Sequence, residues 1–126
     1  MKIMRREYRG QPYALLDESV PVITDVQTAL DLIMTAQYET GSACLAVPQE
    51  AVAEAFFSLR TGLAGEILQK FVNYRVKLAI LGDFQSYRSK PLQDFMLESN
   101  RGQHIFFVAN ELQAAQKFFG APADGT

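Results

Sequence analysis

The sequence predicts a single-domain α/β fold: a mostly parallel five-stranded sheet with an N-terminal antiparallel hairpin and four or five helices. Three observations predict it. Apolar residues recur at three- and four-residue spacing in four segments, the pattern of helices with one buried face. Short apolar runs at Ala43–Val47, Val76–Leu81 and Ile105–Val108 separate them, and continuous runs of this kind mark strands covered on both sides. The signals then alternate as β-β-α-β-α-β-α-β-α, which calls for parallel pairing through right-handed crossovers. The 126 residues suffice for one substantial core. The domain is expected over residues 1–120, with a frayed tail over 121–126.

Lys2–Tyr8 and Tyr13–Leu16 flank Arg9-Gly10-Gln11-Pro12 and read as a hairpin. Pro12 belongs at a strand start or an edge, since it cannot donate to a ladder. Asp17–Ile23 is a loop containing Pro21. Thr24 and Gln27 have capping-box spacing. Val26, Ala29, Leu30, Ile33 and Met34 then make a helical face, and Gly41 is placed to stop it. Ala43–Val47 is a buried strand closed by Pro48. Gln49–Phe57 can be read as a short helix or a loop, with Val52, Ala55, Phe56 and Leu59 turned inward.

Thr61 is suited to cap the central helix, because its hydroxyl can accept from a first-turn amide. Leu63, Ala64, Ile67, Leu68 and Phe71 form the buried face, and Glu66 precedes Lys70 by four residues in the favourable order. Gly65 inside this helix costs about 1 kcal/mol relative to Ala, which suggests close approach of the sheet. Val76–Leu81 ends in Gly82-Asp83. Phe84–Lys90 is a polar loop, Ser89 caps the next helix and Pro91 is tolerated in its first turn. Leu92, Phe95 and Met96 face the core before Asn100-Arg101-Gly102 ends the helix. After Ile105–Val108, Asn110 caps a last helix carrying Leu112, Ala115, Phe118 and Phe119, and Gly120 ends it.

Several function classes are disfavoured by composition. A net charge of −2 gives no electrostatic footprint for nucleic acid or membrane, and basic residues are not interleaved with aromatics. No run approaches a membrane span, and MKIMRREYRG lacks the apolar core of a signal peptide. Cys44 is the sole cysteine, so no internal disulfide can form. It belongs to an apolar run, and a reducing, cytoplasmic setting is expected. His104, the one histidine, begins the last strand and falls on the opposite rim from Asp83. A nucleophile–base pair is therefore not expected, nor is a metal site or a cofactor.

Parallel strands force the chain to descend once between Ala43–Val47 and Val76–Leu81. If the helix after Thr61 makes that descent, Thr61 lies on the carboxyl rim of the sheet beside Asp83, where open α/β sheets place their ligands. The rim then holds Arg60, Thr61, Asp83, Ser86, Arg88, Ser89 and Lys90, with Asp17 joining from the hairpin. Thr61 reads as a plain cap or, with Arg60, as a helix start meeting an anion or phosphoryl group. Asp83 reads equally as a turn former or a working carboxylate, for which Asp17 is the candidate partner. Arg88, Ser89 and Lys90 read as a solvated helix start or an anion site. Phe84 and Tyr87, aromatic residues in a polar loop, would anchor a partner if exposed.

The strings FFSLRTGLAGEILQKFVNYRVKLAILGDF and SKPLQDFMLESNRG resemble an uncharacterised bacterial family, the domain of unknown function 4180. The likeness runs from the Thr24–Leu32 helix start to the last helix and is densest between Phe56 and Gly102. It implies fold and boundaries, and no activity. Element order and the Thr61-Gly62-Leu63 turn are also similar to the anti-sigma-factor antagonist (STAS) domains. That resemblance implies a phosphorylatable serine or threonine whose modification switches a protein partner. Here Leu59-Arg60 stands where those domains carry Asp-Ser, and an extra segment precedes the turn.

The expected function is a small cytosolic binding or regulatory domain without catalysis. It would engage a protein partner or its own copy, as a homodimer, through the rim around Thr61 and Asp83. The alternative is a site for a small anionic ligand, or a weak enzyme, using Asp83 with Arg60 or Arg88.

Overall fold

The computed structural model of the protein describes residues 2–120; the tail expected over 121–126 lies outside them. The strands are β1 (Lys2–Tyr8), β2 (Gln11–Asp17), β3 (Cys44–Pro48), β4 (Lys77–Leu81) and β5 (Ile105–Val108). The helices are α1 (Val26–Thr40), α2 (Leu63–Tyr74), α3 (Lys90–Arg101) and α4 (Glu111–Phe119). The strands lie in one sheet in chain order, β1-β2-β3-β4-β5, with β1–β2 antiparallel and the other pairs parallel. This is the predicted α/β architecture.

The hairpin turns on Arg9 and Gly10, both at positive φ (52° and 84°). That geometry matches the right-handed twist of the flanking strands and pairs Tyr8 with Gln11 and Lys2 with Asp17. Pro12 sits second in β2, opposite Glu7.

Alternation along the strands divides the core into two layers. Ala14, Leu16, Leu45, Val47, Leu78, Ile80, Ile105 and Phe107 point to the front, where α1, α2 and α3 cover them. Tyr13, Ala46, Ala79, Phe106 and Val108 point to the back, where α4 lies with Ala114, Ala115 and Phe118. Alanines at the centre of the back face meet alanines of the helix, so a nine-residue helix can lie close to the sheet.

Local details depart from the sequence reading. The capping box of α1 is Asp25 with Thr28, one residue later than Thr24 with Gln27. Asp25 accepts the Thr28 amide at 2.8 Å, and the Thr28 hydroxyl accepts the Asp25 amide at 3.0 Å. The buried stripe of α1 is Ala29, Leu32, Ile33, Ala36 and Thr40, whereas Met34 is 45% exposed. Both stripes satisfy helical spacing, and contact with β1, β2 and α2 selects between them. The Thr40 hydroxyl is satisfied by donating to the Ala36 carbonyl at 2.7 Å.

Gln49–Phe57 is not a continuous helix. It forms two 3-10 turns, Gln49–Ala51 and Glu54–Phe57, and a third follows at Leu59–Thr61. A parallel bridge between Ile23 and Val52 separates the first two, held by the Ala51 carbonyl, which accepts from Val22 and Ile23, and by Ala53 donating to Ile23. Val52 and Phe56 are buried as expected, but Ala55 is exposed. Gly65 is also exposed, and a Cβ there would meet nothing within 4 Å. The close approach occurs at Gly82, where a Cβ would fall 2.8 Å from Gln49 Cβ and closer still to Gln49 Oε1.

Candidate functional site

The carboxyl ends of the parallel strands are in register, with Pro48 opposite Leu81 and Leu81 opposite Val108. After Leu81 the chain turns to the front and forms α3; after Val108 it turns to the back and forms α4. Loops that leave neighbouring strands for opposite faces open a crevice between them, the position where open α/β sheets bind ligands. Here the crevice measures about 590 Å³. Asp83 and Gln85 line it from the β4–α3 loop, Gln93 from α3, Gln113 from α4, and Phe84 and Phe107 from below.

Local bonds place Asp83, Gln93 and Gln113. Asp83 Oδ1 accepts the Gln85 amide at 3.1 Å, the turn expected of an aspartate after a strand. Gln93 Nε2 donates to the Tyr87 carbonyl at 2.9 Å, and Gln113 Oε1 accepts the Ala109 amide at 2.9 Å. Among the described residues, the Gln93 side-chain oxygen, the Gln113 side-chain nitrogen and the second Asp83 oxygen make no hydrogen bond. Asp83 is the one charged residue among those lining the crevice. The arrangement suits a group that presents donors or positive charge.

The structure places Arg60 and Thr61 on the same rim, because α2 runs from there back to Lys77. Neither lines the crevice. Thr61 is not the N-cap of α2; Gly62 holds that position at φ 76°. The Thr61 hydroxyl instead lies 2.8 Å from the Ala55 carbonyl and 2.9 Å from that of Ser58, and accepts the Leu63 amide at 3.2 Å. It therefore ties the second and third 3-10 turns to the start of α2.

Phe57, between those carbonyls, connects Thr61 to the Asp83 loop. Its ring stacks on Tyr87 at 5.0 Å and lies 6.1 Å from Phe84, which in turn meets Phe107 edge-on at 5.4 Å. Phe84 and Tyr87 are thus half-buried against the front core and are not exposed anchors. The Tyr87 hydroxyl donates to the Glu54 carboxylate at 2.9 Å and accepts from Gln49 Nε2 at 3.3 Å. Burial pushes its pKa up, and the bond to Glu54 adds to the shift while that from Gln49 opposes it.

The basic cluster divides. Ser89 caps α3 by accepting the Leu92 amide at 3.3 Å. Lys90 pairs with Asp94 at 3.1 Å, and Arg88 is exposed outside the crevice lining. Asp17 does not pair with Asp83: β3 lies between their strands, a separation of about 10 Å. It lines a separate hollow of about 430 Å³ with Glu18, Glu50 and Glu111. Among the described residues, no group of three or more His, Cys, Asp or Glu could hold a metal ion. Cys44, partly buried at the start of β3, has its thiol pKa raised by burial, with Lys77 and Ser42 pulling the other way.

Two features lay outside the sequence reading. The three crevice glutamines carry no motif; Gln85, in the polar loop that follows β4, is the one nearest to a sequence signal. The second feature is a polar tie on the back face. Glu111 accepts from Arg6 Nε at 3.0 Å, from Arg6 Nη2 at 3.1 Å and from the Tyr13 hydroxyl at 2.7 Å. These partners are 105 and 98 residues away, beyond any local pattern.

A family model described as "Domain of unknown function (DUF4180)" matches residues 8–118. No curated protein and no solved structure matches the chain. No helix among the described residues is long and apolar enough to cross a membrane.

Proposed function

The chain belongs to the family of the domain of unknown function DUF4180, and from the geometry of its rim we propose that it is a non-catalytic, cytoplasmic binding domain for a protein partner. The supporting observation is the crevice between the ends of β4 and β5, opened where the chain leaves adjacent strands for opposite faces. Its polar lining is one carboxylate and three side-chain amides, and its floor is Phe84 and Phe107. This lining complements a partner segment offering a lysine, an arginine or backbone amides beside an apolar side chain. An anionic ligand would have to sit against Asp83 with no cation in the lining. On this reading Thr61 acts as a brace that holds Phe57, and through it the Asp83 loop, in place.

Capture from a lysate of the source cells tests the proposal, comparing wild type with Asp83→Arg and with Glu39→Arg, a charge reversal at an exposed site on α1. Partners retained by wild type and Glu39→Arg but lost from Asp83→Arg are expected. Identical sets from all three proteins, or no partner from any, would remove the rim as a binding surface.

A further inference from the structure

We propose a second site, on the opposite rim, that takes a small uncharged aromatic compound bearing one hydrogen-bond donor, of the phenol class. A pocket of about 300 Å³ opens there between α2, α3 and the start of β5. Leu68, Phe95 and Ile105 form its apolar walls, and Ser99, His104 and Glu98 supply polar groups. A mostly apolar pocket with a few convergent polar groups is the usual form of a small-molecule site.

Two unpaired groups point to a ligand. Ser99 continues the buried face of α3 after Leu92 and Met96 and is only 8% exposed. Thr35 and Thr40, also within a helix, donate to the carbonyl four residues back, but the Ser99 hydroxyl has no hydrogen-bond partner among the described residues. Buried polar groups are nearly always paired. His104 Nδ1 lies 3.2 Å from the Val76 carbonyl. A carbonyl can only accept, so Nδ1 is the donor, and in that tautomer Nε2 is an acceptor. That nitrogen too has no partner among the described residues. A phenol would place its ring among Leu68, Phe95 and Ile105, donate to Nε2 and accept from Ser99. Glu98, exposed on the pocket lining, disfavours an anionic ring.

Phenol, its methyl ether anisole and benzoate can be titrated into the full chain while amide and imidazole resonances are followed by NMR. Phenol is expected to shift Ser99 and His104 saturably. Anisole, which lacks the donor, and benzoate, which carries charge, are each expected to bind about tenfold more weakly, the equivalent of one hydrogen bond. In His104→Phe, phenol and anisole should bind alike. No saturable shift at these residues in the wild type would overturn the site, as would equal affinity for phenol and anisole. These two readouts need no variant to fold. Discrimination that persists in a folded His104→Phe would overturn the role given to Nε2.

Discussion

The side chain of Asn100 stands beside Phe107 as a neighbouring strand would: its Oδ1 accepts the Phe107 amide at 2.7 Å and its Nδ2 donates to the Phe107 carbonyl at 3.0 Å. β5 is an outer strand of the sheet, and an outer strand with free backbone groups invites pairing with another chain. Asn100→Ala is expected to lose about 1–3 kcal/mol of stability, the cost of leaving partly buried groups unpaired. It should also show concentration-dependent association. Urea unfolding and sedimentation velocity check the two effects, and wild-type behaviour in both would show that the amide does not seal this edge.

Two glycines should respond oppositely to alanine. Gly65→Ala, at an exposed helical position with open space around it, is expected to gain about 1 kcal/mol. Gly82→Ala drives a methyl group against Gln49 and is expected to lose about 1–3 kcal/mol. Thermal unfolding of the two variants distinguishes the positions.

The tie between Glu111, Arg6 and Tyr13 sets two pH windows. Burial pushes the Glu111 carboxyl up, but the hydrogen bonds from Arg6 and Tyr13 and the Arg6 charge together bring it below its ordinary value of 4.5. A lowered carboxyl contributes stability above its unfolded value, lost as pH falls through the folded one. Tyr13 is raised from 10.0 to about 12, first by burial and then by donating to Glu111. Its contribution is complete below pH 10 and is lost as pH rises from there toward about 12. Glu111→Gln should flatten the acid limb of the stability profile, and Tyr13→Phe the alkaline limb. Unchanged slopes in equilibrium unfolding across pH would show that neither group is linked to folding.

Thr61→Val keeps the shape of the side chain and removes its hydroxyl contacts. A loss of about 1 kcal/mol is expected, the net worth of a typical hydrogen bond, with line broadening at Phe57 and Tyr87 in NMR spectra. Full stability with sharp resonances would separate Thr61 from the aromatic cluster it is argued to brace.

The parts legible in the sequence were those governed by local periodicity and capping. Continuous apolar runs became the buried strands β3, β4 and β5, and Ser89 and Asn110 cap α3 and α4 as expected. Where two apolar stripes fitted one helix, as in α1, packing decided, and local spacing contains no term for packing. Thr61 shows the same limit: a threonine before glycine has the composition of a cap, yet the positive φ of Gly62 moves the cap onward. On the rim, Asp83 was legible as a polar residue after a strand. Gln93 and Gln113 were not, because two loops diverging around the sheet bring the helices that carry them to one crevice.

Among the described residues α4 is the one helix on the back of the sheet, and its place after β5 orders when that face is covered. Phe119 stacks on Tyr8 at 6.5 Å, and Glu111 holds Arg6, so α4 fastens onto the β1–β2 hairpin. During synthesis the front layer can assemble as each crossover emerges, whereas the back remains bare until α4 leaves the ribosome. A nascent chain halted before Glu111 would expose Phe106, Val108 and Tyr13 together, a patch that a holdase would recognise.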